Sequence, residues 1–589
     1  MFRTNTCGEL RIEDAGKEVT LSGWTFHRRD HGGIVFIDLR DRYGITQVVF
    51  DPEDSAEAHA AADKIRSEWV LQVTGTVRPR GEGLTNPNLE TGEVELLVTK
   101  LEVLNKSKTP PFEISTEKDV REDLRLEYRY LDLRRVKMQK NMKLRNDMTH
   151  VIRNYFHDQD FLDVETPIMV KGTPEGSREY LVPSRLHAGD FYVLPQSPQQ
   201  LKQMCMVGGI DKYYQIARCF RDEDLRGDRQ PEFTQLDLEM SFVEQEDVIQ
   251  VVEGMLHKLT EKCAPQKEYK KYLVDGKFRR MTWQEAMENY GSDKPDLRFG
   301  MEFVNVSEEA KTSGFGIFEK SECLFALKAE KSNGELSRKD IDNLTKLAQQ
   351  HGAGGLAWLR VGEESGPVAK NSNSEFIDVV VSKTKAQAGD VVFFGAGEFV
   401  ASTEPLGAVR SELGNMFNLK NSNEFAFAWI LDFPMFEKKD DGSIQSAHHP
   451  FTQPQSQDLE RLESDPMSVK SYAYDVIMNG VELGGGSVRI HDPEMQARMF
   501  AALGLSKEET EMKFGHIIKA FEYGCPPHAG CALGLDRLVM LWADEATIRE
   551  VIAFPKDQNA RDLMLRAPAP MPEKELAEQN IQVLSEDLS

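Results

Sequence analysis

The chain has 589 residues, too many for one hydrophobic core, so we expect several domains. Its formal net charge of −25 argues against nucleic-acid binding over the whole surface, although a local basic face could still bind phosphate. Seven cysteines without a CxxC pair indicate neither a disulfide framework nor a zinc site. With no signal-peptide pattern and no apolar stretch of membrane-spanning length, we expect a cytoplasmic protein.

Residues 1–105 have the pattern of a five-stranded barrel with one helix after the third strand. Short alternating runs are separated by Gly, Asp and Pro turns, which is typical of an OB-fold. The strands are expected at Val19–Trp24, Ile34–Leu39, Ile45–Phe50, Trp69–Val77 and Val94–Val98, and the helix at Ser55–Ser67.

One face of such a barrel binds single-stranded nucleic acid through aromatic stacking and basic side chains. Arg28, Arg29, Phe36 and Gln47 are candidates for this face. Each residue alone would more often be an ordinary surface or core residue, and only the barrel pattern favours the binding role.

The rest of the chain divides by composition. Residues 106–140 contain a Pro pair and are interpreted as a hinge, and a helix is expected from Lys137 to about His157. Residues 288–414 have Gly-rich turns, a helix at Arg338–His351 and strands such as Phe376–Val381, which indicates an inserted α+β domain. It would interrupt a domain formed by residues 141–287 and 415–565, and residues 566–589 would be a peripheral tail.

The most informative stretch is Gln215–Glu239, which contains a short apolar run, a dense group of charges and a second alternating run. This pattern predicts two antiparallel strands joined by a charged loop. Interleaved Arg and Glu suit a ligand that carries both phosphates and an amine. The alternative is a solvated hairpin of ion pairs.

Three motifs in chain order resemble the signatures of class II aminoacyl-tRNA synthetases. They are a strand ending at Pro167, the Phe-Arg-Asp-Glu of 220–223, and the Ala-Leu-Gly-Leu-Asp-Arg of 532–537. The GxGxxG fingerprint and the HIGH and KMSKS signatures are absent, which disfavours a doubly wound nucleotide fold.

Longer segments resemble bacterial-type aspartyl-tRNA synthetases over essentially the whole chain. These segments read TPEGSREYLVPS, QSPQQLKQ, FRDEDLRGDRQPEFTQLD, HHPFT and VELGGGSVRIHD. The resemblance implies an α+β multidomain protein: an N-terminal OB-fold β-barrel for the anticodon, and an antiparallel-sheet catalytic domain with the inserted α+β domain. It also implies a homodimer that packs through the motif ending at Pro167.

The resemblance implies ATP as a substrate and Mg²⁺ as the metal ion. Arg221 would bridge the α-phosphate and the amino-acid carboxylate, Arg537 would hold the γ-phosphate, and Phe233 would stack on adenine. Asp475 and Glu482 would bind the metal, since Mg²⁺ prefers carboxylate oxygens. The implied ATP-binding set is Arg221, Asp222, Glu223, Gln230, Phe233, Glu482, Gly534, Leu535, Asp536 and Arg537, with Arg221, Glu482 and Arg537 as catalytic residues.

For L-aspartate, the resemblance implies cations at the side-chain carboxylate and acceptors at the ammonium group. Lys202 and Arg489 suit the first task, with His448 preferred over His449 as a helper. Glu175, Gln199 and Asp237 suit the second. The complete implied set is Glu175, Gln199, Gln200, Leu201, Lys202, Arg221, Asp237, His448 and Arg489.

Arg29, Phe36 and Gln47 would contact anticodon bases. His31 and Gly83 depart from the Leu and Lys of enzymes specific for tRNA(Asp). Loss of these bulky and charged groups predicts an enzyme that aspartylates both tRNA(Asp) and tRNA(Asn), although neutral loop drift would leave the same residues. The alternatives are an enzyme for tRNA(Asp) alone, an asparaginyl or lysyl synthetase, and an inactive paralogue that only binds RNA.

Overall fold

The computed structural model describes residues 1–116, 118–172, 177–363, 365–439 and 441–584. The chain forms two compact units, Met1–Arg145 with Arg549–Pro570, and Asn146–Ile548 with Met571–Ser589. The boundary between the units falls within one long helix, α4 (Val136–Asp158).

The first unit contains a closed five-stranded barrel in the order β1-β2-β3-β5-β4. Only the β3–β5 pair is parallel. The fold confirms the expected OB-fold, because the single helix lies between the third and fourth strands and β4 buries every second residue. The elements are β1 (Glu18–His31), β2 (Ile34–Arg40), β3 (Ile45–Phe50), α1 (Ala56–Ala62), β4 (Val70–Pro79) and β5 (Val94–Asn105).

Two short helices, α2 (Glu122–Glu127) and α3 (Arg129–Asp132), follow the barrel and precede α4. Arg129, which is 2% exposed, donates to the backbone carbonyls of Arg549, Ile552 and Ala553 at 2.7–3.0 Å. These bonds satisfy carbonyls of the returning 549–570 segment and fix it within the first unit.

The second unit is built on an eight-stranded sheet in the order β11-β16-β19-β20-β21-β10-β9-β6. Only the end pairs β11–β16 and β6–β9 are parallel, so the centre is antiparallel as expected. The strands are β6 (Leu162–Asp163), β9 (Lys212–Phe220), β10 (Glu232–Ser241), β11 (Arg279–Thr282), β16 (Phe427–Leu431), β19 (Ala473–Met478), β20 (Val481–Val488) and β21 (His528–Gly534).

Within the described residues, two hairpins and seven helices accompany this sheet. The hairpins are β7 (Leu181–Pro183) with β8 (Phe191–Val193), and β17 (Phe436–Lys438) with β18 (Ile444–Ser446). The helices are α5 (Gln199–Val207), α6 (Gln245–Cys263), α7 (Trp283–Tyr290), α14 (Pro493–Ala502), α15 (Lys507–Phe521), α16 (Leu535–Trp542) and α17 (Glu573–Glu578). Short 3₁₀ helices lie at Ile12–Asp14, Lys270–Tyr272, Lys331–Asn333, Ser456–Arg461, Pro466–Ser468 and Ile548–Glu550.

A separate four-stranded antiparallel sheet, in the order β12-β13-β15-β14, lies within the expected insertion. The exact domain boundaries stay a prediction. The strands are β12 (Val304–Asn305), β13 (Cys323–Ala329), β14 (Ala357–Arg360) and β15 (Val391–Gly397). The helices are α8 (Ser307–Ala310), α9 (Gly316–Lys320), α10 (Arg338–Gln350), α11 (Pro367–Asn371), α12 (Ser374–Thr384) and α13 (Phe399–Met416).

The expected strand at Phe376–Val381 is wrong, because these residues belong to α12. The run of valines suggested a strand, but Asn373 caps a helix by accepting a hydrogen bond from the backbone N–H of Phe376 at 2.9 Å. Phe376, Val380 and Thr384 then form one buried face at helical spacing, which outweighs the β-propensity of the valines.

Candidate active site

Four adjacent strands, β10, β21, β20 and β19, form the floor of the candidate site. The register places Asp237 opposite Ala532, Ala532 opposite Gly485, and Gly485 opposite Asp475. Residues that lie opposite each other point to the same face of a sheet. Two carboxylates therefore flank a floor made of small residues, which leaves room for a ligand.

Two glycines of this floor are required by the carboxylates beside them. A Cβ on Gly530 would lie 1.9 Å from Oε2 of Glu239, and a Cβ on Gly485 would lie 2.0 Å from Oδ1 of Asp475. Both distances are far inside van der Waals contact. The glycines let the carboxylates lie directly over the backbone.

A buried charged cluster stands at the β10 side of the floor and consists of Lys202, Asp237, Glu239 and Arg489. The Lys202 ammonium lies 2.6 Å from Asp237 Oδ1 and 3.3 Å from Glu239 Oε2. Arg489 donates to both oxygens of Glu239, from Nε at 2.9 Å and Nη2 at 3.2 Å. Each side chain is at most 2% exposed, and two cations balance two carboxylates.

The pKa values of the two carboxylates in the buried charged cluster shift in opposite directions. Burial raises the pKa of Asp237 above its usual range, against the opposing effect of Lys202. Burial acts the same way on Glu239, but Arg489 and Lys202 hold the pKa of Glu239 below its usual range. Oδ2 of Asp237 is buried and has no hydrogen-bond partner among the described residues. A buried carboxylate oxygen in this position is suited to accept from an ammonium group.

The two adjacent histidines face different groups. His449 Nε2 lies 2.6 Å from Nη1 of Arg489, whereas His448 Nε2 lies 3.7 Å from Oδ1 of Asp475. Burial and the nearby Arg489 lower the pKa of His449 well below its usual range. Burial acts to lower the pKa of His448 too, but Asp475 raises it overall. His449 therefore joins the buried charged cluster, while His448 lies near the metal-ligand candidates. Which of them contacts aspartate stays a prediction.

The loop between β9 and β10 carries the candidate nucleotide-binding residues. The antiparallel register of these strands confirms the expected hairpin. The backbone N–H of Arg221 donates to the carbonyl of Pro231 at 2.9 Å, and its guanidinium lies 5.1 Å from the centre of the Phe233 ring. A planar cation thus lies over an aromatic ring at the end of the hairpin.

Other side chains of this loop have partners. Asp222 Oδ2 forms an ion pair with Nε of Arg178 at 3.5 Å, and Glu223 accepts from Arg229 at 3.0 Å. Gln230 is 4% exposed. A ligand that binds these side chains would have to break the two exposed ion pairs, and such pairs cost little free energy to separate in water.

Arg537 stands at the other end of the floor, in the first turn of α16. Its Nη1 donates to the backbone carbonyl of Glu482 at 2.7 Å, and its Nη2 donates to Asp228 at 3.1 Å. Gly534 precedes the helix and Leu535 is 1% exposed. The guanidinium is thereby held beside the candidate metal ligand.

Asp536, predicted as an ATP-binding residue, is 3% exposed and accepts a hydrogen bond from the backbone N–H of Thr234 at 2.7 Å. This bond ties α16 to β10. The structure therefore gives the carboxylate a positioning contact.

Asp475 and Glu482 lie on neighbouring strands, and a shift in register between Val476 and Ile477 adjusts their approach. Burial, and then the charge of Asp475, raise the pKa of Glu482. Among the described residues, no group of three or more metal-ligating side chains is present. Two carboxylates alone fit Mg²⁺, which is commonly bound by one or two carboxylates together with substrate phosphates.

Helix α5 contributes a glutamine-rich surface. Gln199 donates to Gln203 at 3.2 Å, and Gln203 Nε2 lies 3.0 Å from Nε2 of His528. Leu201 is half-buried. Gln200 is 4% exposed, and both polar atoms of its side chain lack a hydrogen-bond partner among the described residues. A buried amide without partners is costly unless a ligand or water satisfies it.

Glu175 lies outside the described residues. Nearby Ser177 is described, and its backbone N–H and hydroxyl both donate to Oε1 of Gln196, at 3.1 and 2.7 Å.

Sequence reasoning missed several residues of the site. Glu239 is a member of the buried charged cluster, where it accepts from Arg489. Ser487 contacts the cluster by accepting from Arg489 at 2.6 Å. Asp228 pairs with Arg537. Glu239 had a usable signal, because it follows Asp237 by two residues and must share its face. Asp228 had none, because its partner is 309 residues away.

The barrel brings Arg29, Phe36 and Gln47 to one outer face. Arg29 lies opposite Phe36, and Asp38, which lies opposite Gln47, accepts from Arg29 at 2.8 Å. Gln47 donates to Glu95 at 2.9 Å. This is the surface that the sequence predicts to contact the anticodon, and we call it the anticodon face for that prediction.

The other barrel candidates are placed separately. Arg28 is directed to α1, where it donates to Asp63 at 2.7 Å. His31 ends β1, and Gly83 lies in the β4–β5 loop with a φ of +76° and open space around its Cα; both are exposed.

Two family models match the chain. One, described as tRNA synthetases class II (D, K and N), covers residues 121–558, and the other, described as an OB-fold nucleic acid binding domain, covers residues 19–104. The chain belongs to the class II tRNA synthetases. The resemblance noted in the three motifs is thereby confirmed, and the chain is an aminoacyl-tRNA ligase of this class.

Relatives of this synthetase match over the full length. It is 49% identical to the "Aspartate--tRNA(Asp/Asn) ligase" of Desulfatibacillum aliphaticivorans, with 100% of this chain and 99% of the relative covered. It is 51% identical to the "Aspartate--tRNA ligase" of Enterococcus faecalis, with 99% of each covered.

Solved structures support the fold. Asparaginyl-tRNA synthetase from Pyrococcus horikoshii, complexed with asparaginyl-adenylate, aligns with a TM-score of 0.59 at 19% identity, covering 94% of this chain and 98% of that one. Aspartyl-tRNA synthetase from Entamoeba histolytica aligns with a TM-score of 0.56 at 21% identity, covering 93% and 91%.

Proposed function

We propose that this synthetase activates L-aspartate with ATP and transfers it to both tRNA(Asp) and tRNA(Asn). The observation that carries the amino-acid choice is the pair of buried cations, Lys202 and Arg489, in one site. A second carboxylate on the substrate would be stabilised by these cations, while the free oxygen of Asp237 would accept from the substrate ammonium.

The competing amino acids fit this site less well. The side chain of lysine would bring a third cation beside Lys202 and Arg489, which is unfavourable in a buried site. The side chain of asparagine is uncharged and gains less from two cations than a carboxylate does. The full-length relatives named as aspartate ligases support the same choice.

Activation joins an oxygen of the aspartate α-carboxylate to the α-phosphorus of ATP and breaks the bond to pyrophosphate. Arg221 would neutralise the charge that develops at the α-phosphate, and Arg537 would hold the γ-phosphate. Asp475 and Glu482 would hold Mg²⁺, which neutralises phosphate charge when bound. A ribose hydroxyl of the tRNA then attacks the adenylate carbonyl, and AMP leaves.

Placement and charge stabilisation suffice for these steps, so no protein nucleophile is needed. The side chains of Arg221, Glu482 and Arg537 are all present, which argues against an inactive paralogue that only binds RNA.

Exchange of pyrophosphate into ATP tests the amino-acid choice. Aspartate should support exchange and asparagine should not. Exchange that depends on asparagine and not on aspartate would contradict the proposal, and no exchange with either would favour the RNA-binding alternative.

The choice of both tRNAs rests on His31 and Gly83 of the barrel and on relatives named for Asp/Asn. A relative of equal similarity is named for aspartate alone, so specificity for tRNA(Asp) is the second candidate. Aspartylation of pure tRNA(Asn) transcript decides between them: charging at background level would leave the enzyme specific for tRNA(Asp).

We also propose a homodimer. Beside Pro167, the side chains of Leu162, Ile168 and Met169 are 47–57% exposed, which is unusual for three apolar residues in one short segment. A sedimentation experiment at micromolar concentration should give twice the chain mass.

No helix within the described ranges has the length and apolarity to span a bilayer.

A further inference from the structure

The turn at residues 292–298 connects α7 of the catalytic sheet to the four-stranded sheet and contains the sequence Ser-Asp-Lys-Pro-Asp-Leu-Arg. None of the predicted site residues comes from this turn. It carries one exposed cation, Lys294, between two aspartates.

The turn is held rigidly. The carboxylate of Asp296, a residue that is 5% exposed, accepts from Nε and Nη2 of Arg298 at 3.0 and 2.7 Å. Nη2 of Arg410, on α13, donates to the backbone carbonyls of Asp296, Phe299 and Gly300 at 2.7–3.0 Å. Arg410 is 2% exposed, so the turn has a buried anchor.

The turn lies against the connection between β19 and β20. A Cβ on Gly480 would lie 3.3 Å from the Cβ of Asp296, and Gly480 adopts a φ of +84° in this connection. The two strands joined here carry the metal-ligand candidates Asp475 and Glu482. Contact between the two turns therefore brings the 292–298 turn to the metal end of the site.

The ammonium of Lys294 lies within electrostatic range of Glu482 and Asp475. Burial acts to lower the pKa of Lys294, but Asp293, and then Glu482 and Asp475, raise it overall, so the group is charged at neutral pH. Its contact of 3.0 Å is with Asp293, and the two side chains are 48% and 40% exposed.

An exposed ion pair of this kind contributes little to stability. Structural support of the turn comes from Asp296, Arg298 and Arg410 instead. Lys294 is therefore a half-exposed cation on a rigid turn, and this turn packs against the connection between the two strands that carry Asp475 and Glu482.

We propose that Lys294 is a further residue of the nucleotide site, where its ammonium binds the β- and γ-phosphates of ATP and the departing pyrophosphate. The inference rests on the proposed function. When the aspartate oxygen attacks the α-phosphorus, the bond to the bridging oxygen breaks and its electron pair leaves with pyrophosphate. Lys294, with Arg537, stabilises the negative charge that pyrophosphate gains.

The test compares Lys294→Ala and Lys294→Arg with Lys311→Ala, which removes a surface lysine of similar exposure, 59% against 48%, that pairs with Glu308. Calorimetry measures the binding of ATP, pyrophosphate and AMP to each variant without aspartate. Lys294→Ala should raise the Kd of ATP and of pyrophosphate by about ten-fold. The Kd of AMP should change by less than about two-fold, because AMP lacks the outer phosphates. Lys294→Arg should retain most of the affinity.

Exchange kinetics give a second measurement. Lys294→Ala should raise the KM for pyrophosphate while the KM for aspartate stays unchanged. Binding equal to that of Lys311→Ala would overturn the inference. Equal losses for AMP, aspartate and pyrophosphate with a lower Tm would also overturn it, since they indicate a disturbed turn. Wild-type enzyme without aspartate-dependent exchange would instead contradict the proposed function.

Discussion

The buried charged cluster and the anticodon face both use ion pairs and hydrogen bonds, but in different surroundings. Arg489 and Glu239 are at most 2% exposed, and each has further partners. On the anticodon face, Arg29 is 53% exposed and pairs with an Asp38 side chain that is 11% exposed. Removal of one buried partner leaves an uncompensated charge, whereas an exposed partner is replaced by water. We therefore expect the amino-acid site to resist change and the anticodon face to tolerate it.

The largest expected effect is that of Arg489→Ala, which leaves Glu239 buried and with one cation fewer. Loss of one partner of a buried pair costs about 3–5 kcal/mol. The kcat/KM for aspartate should fall by about a thousand-fold in pyrophosphate exchange, while the KM for ATP changes by only a few-fold. Arg489→Lys, which keeps the charge, checks the result if the alanine variant is poorly folded. Equal losses for both substrates would contradict the assigned role.

The second prediction concerns pH. His528 is buried, Gln203 lies 3.0 Å from its Nε2, and the carbonyl of Pro526 lies 2.8 Å from its Nδ1. Burial lowers the pKa of His528 to about 4, so the unfolded chain takes up this proton first as pH falls. The stability contributed by neutral His528 is complete above about pH 6.5 and is lost as pH falls towards 4, by about 3 kcal/mol at most.

The measurement is the free energy of unfolding of wild type minus that of His528→Gln at several pH values. The glutamine variant should lack this component. If the difference in free energy of unfolding stays constant from pH 7 to 4.5, His528 does not contribute this pH-dependent stability.

A milder test of the buried charged cluster is Glu239→Gln, which keeps the shape and removes the charge. Lys202 and Arg489 then lose a counter-ion, and the kcat/KM for aspartate should fall by about 10–100-fold, in the range expected for one charge-assisted interaction. Glu253→Gln is the matched control, because Glu253 is 5% exposed and pairs with Arg280 at a distance of 2.7 Å. This pair is not part of the floor of the candidate site. The control should lose stability but keep its KM for aspartate. If both variants lose kcat/KM for aspartate to the same extent, Glu239 has no specific role in aspartate binding.

The smallest effect is expected on the barrel. The double variant His31→Leu with Gly83→Lys should lower aspartylation of tRNA(Asn) by about ten-fold and leave tRNA(Asp) nearly unchanged. Since Gly83 has a φ of +76°, the lysine adds a strain of about 1 kcal/mol but meets no neighbouring atom. Parallel charging assays on the two transcripts check it. An unchanged ratio would assign discrimination to other residues.

Local pattern predicted much of the fold. The alternation in Gln215–Glu239 predicted β9 and β10, and the five short runs predicted the barrel. β1 nevertheless continues to His31, seven residues beyond the expected end, because pairing with β2 extends a polar segment that has no strand pattern of its own.

The contacts within the candidate site were harder to predict from the sequence than the fold was. Position in a motif could not separate His448 from His449, because their roles depend on Asp475 and Arg489, which reach them from other strands. It also could not show that Asp536 bonds to the backbone of β10. Contacts between residues hundreds of positions apart leave no local signal, so pattern identifies the residues and packing decides their contacts.

The bare backbone at Gly530 has a consequence for how the pocket can change in evolution. A methyl group there would occupy the place of the Glu239 oxygen, so neither position can be replaced without regard to the other. A shorter residue at 239 opens a void over Gly530, and a larger residue at 530 expels the carboxylate. The two positions are epistatic, and a lineage that alters this wall of the pocket must cross a fitness valley or change both codons together.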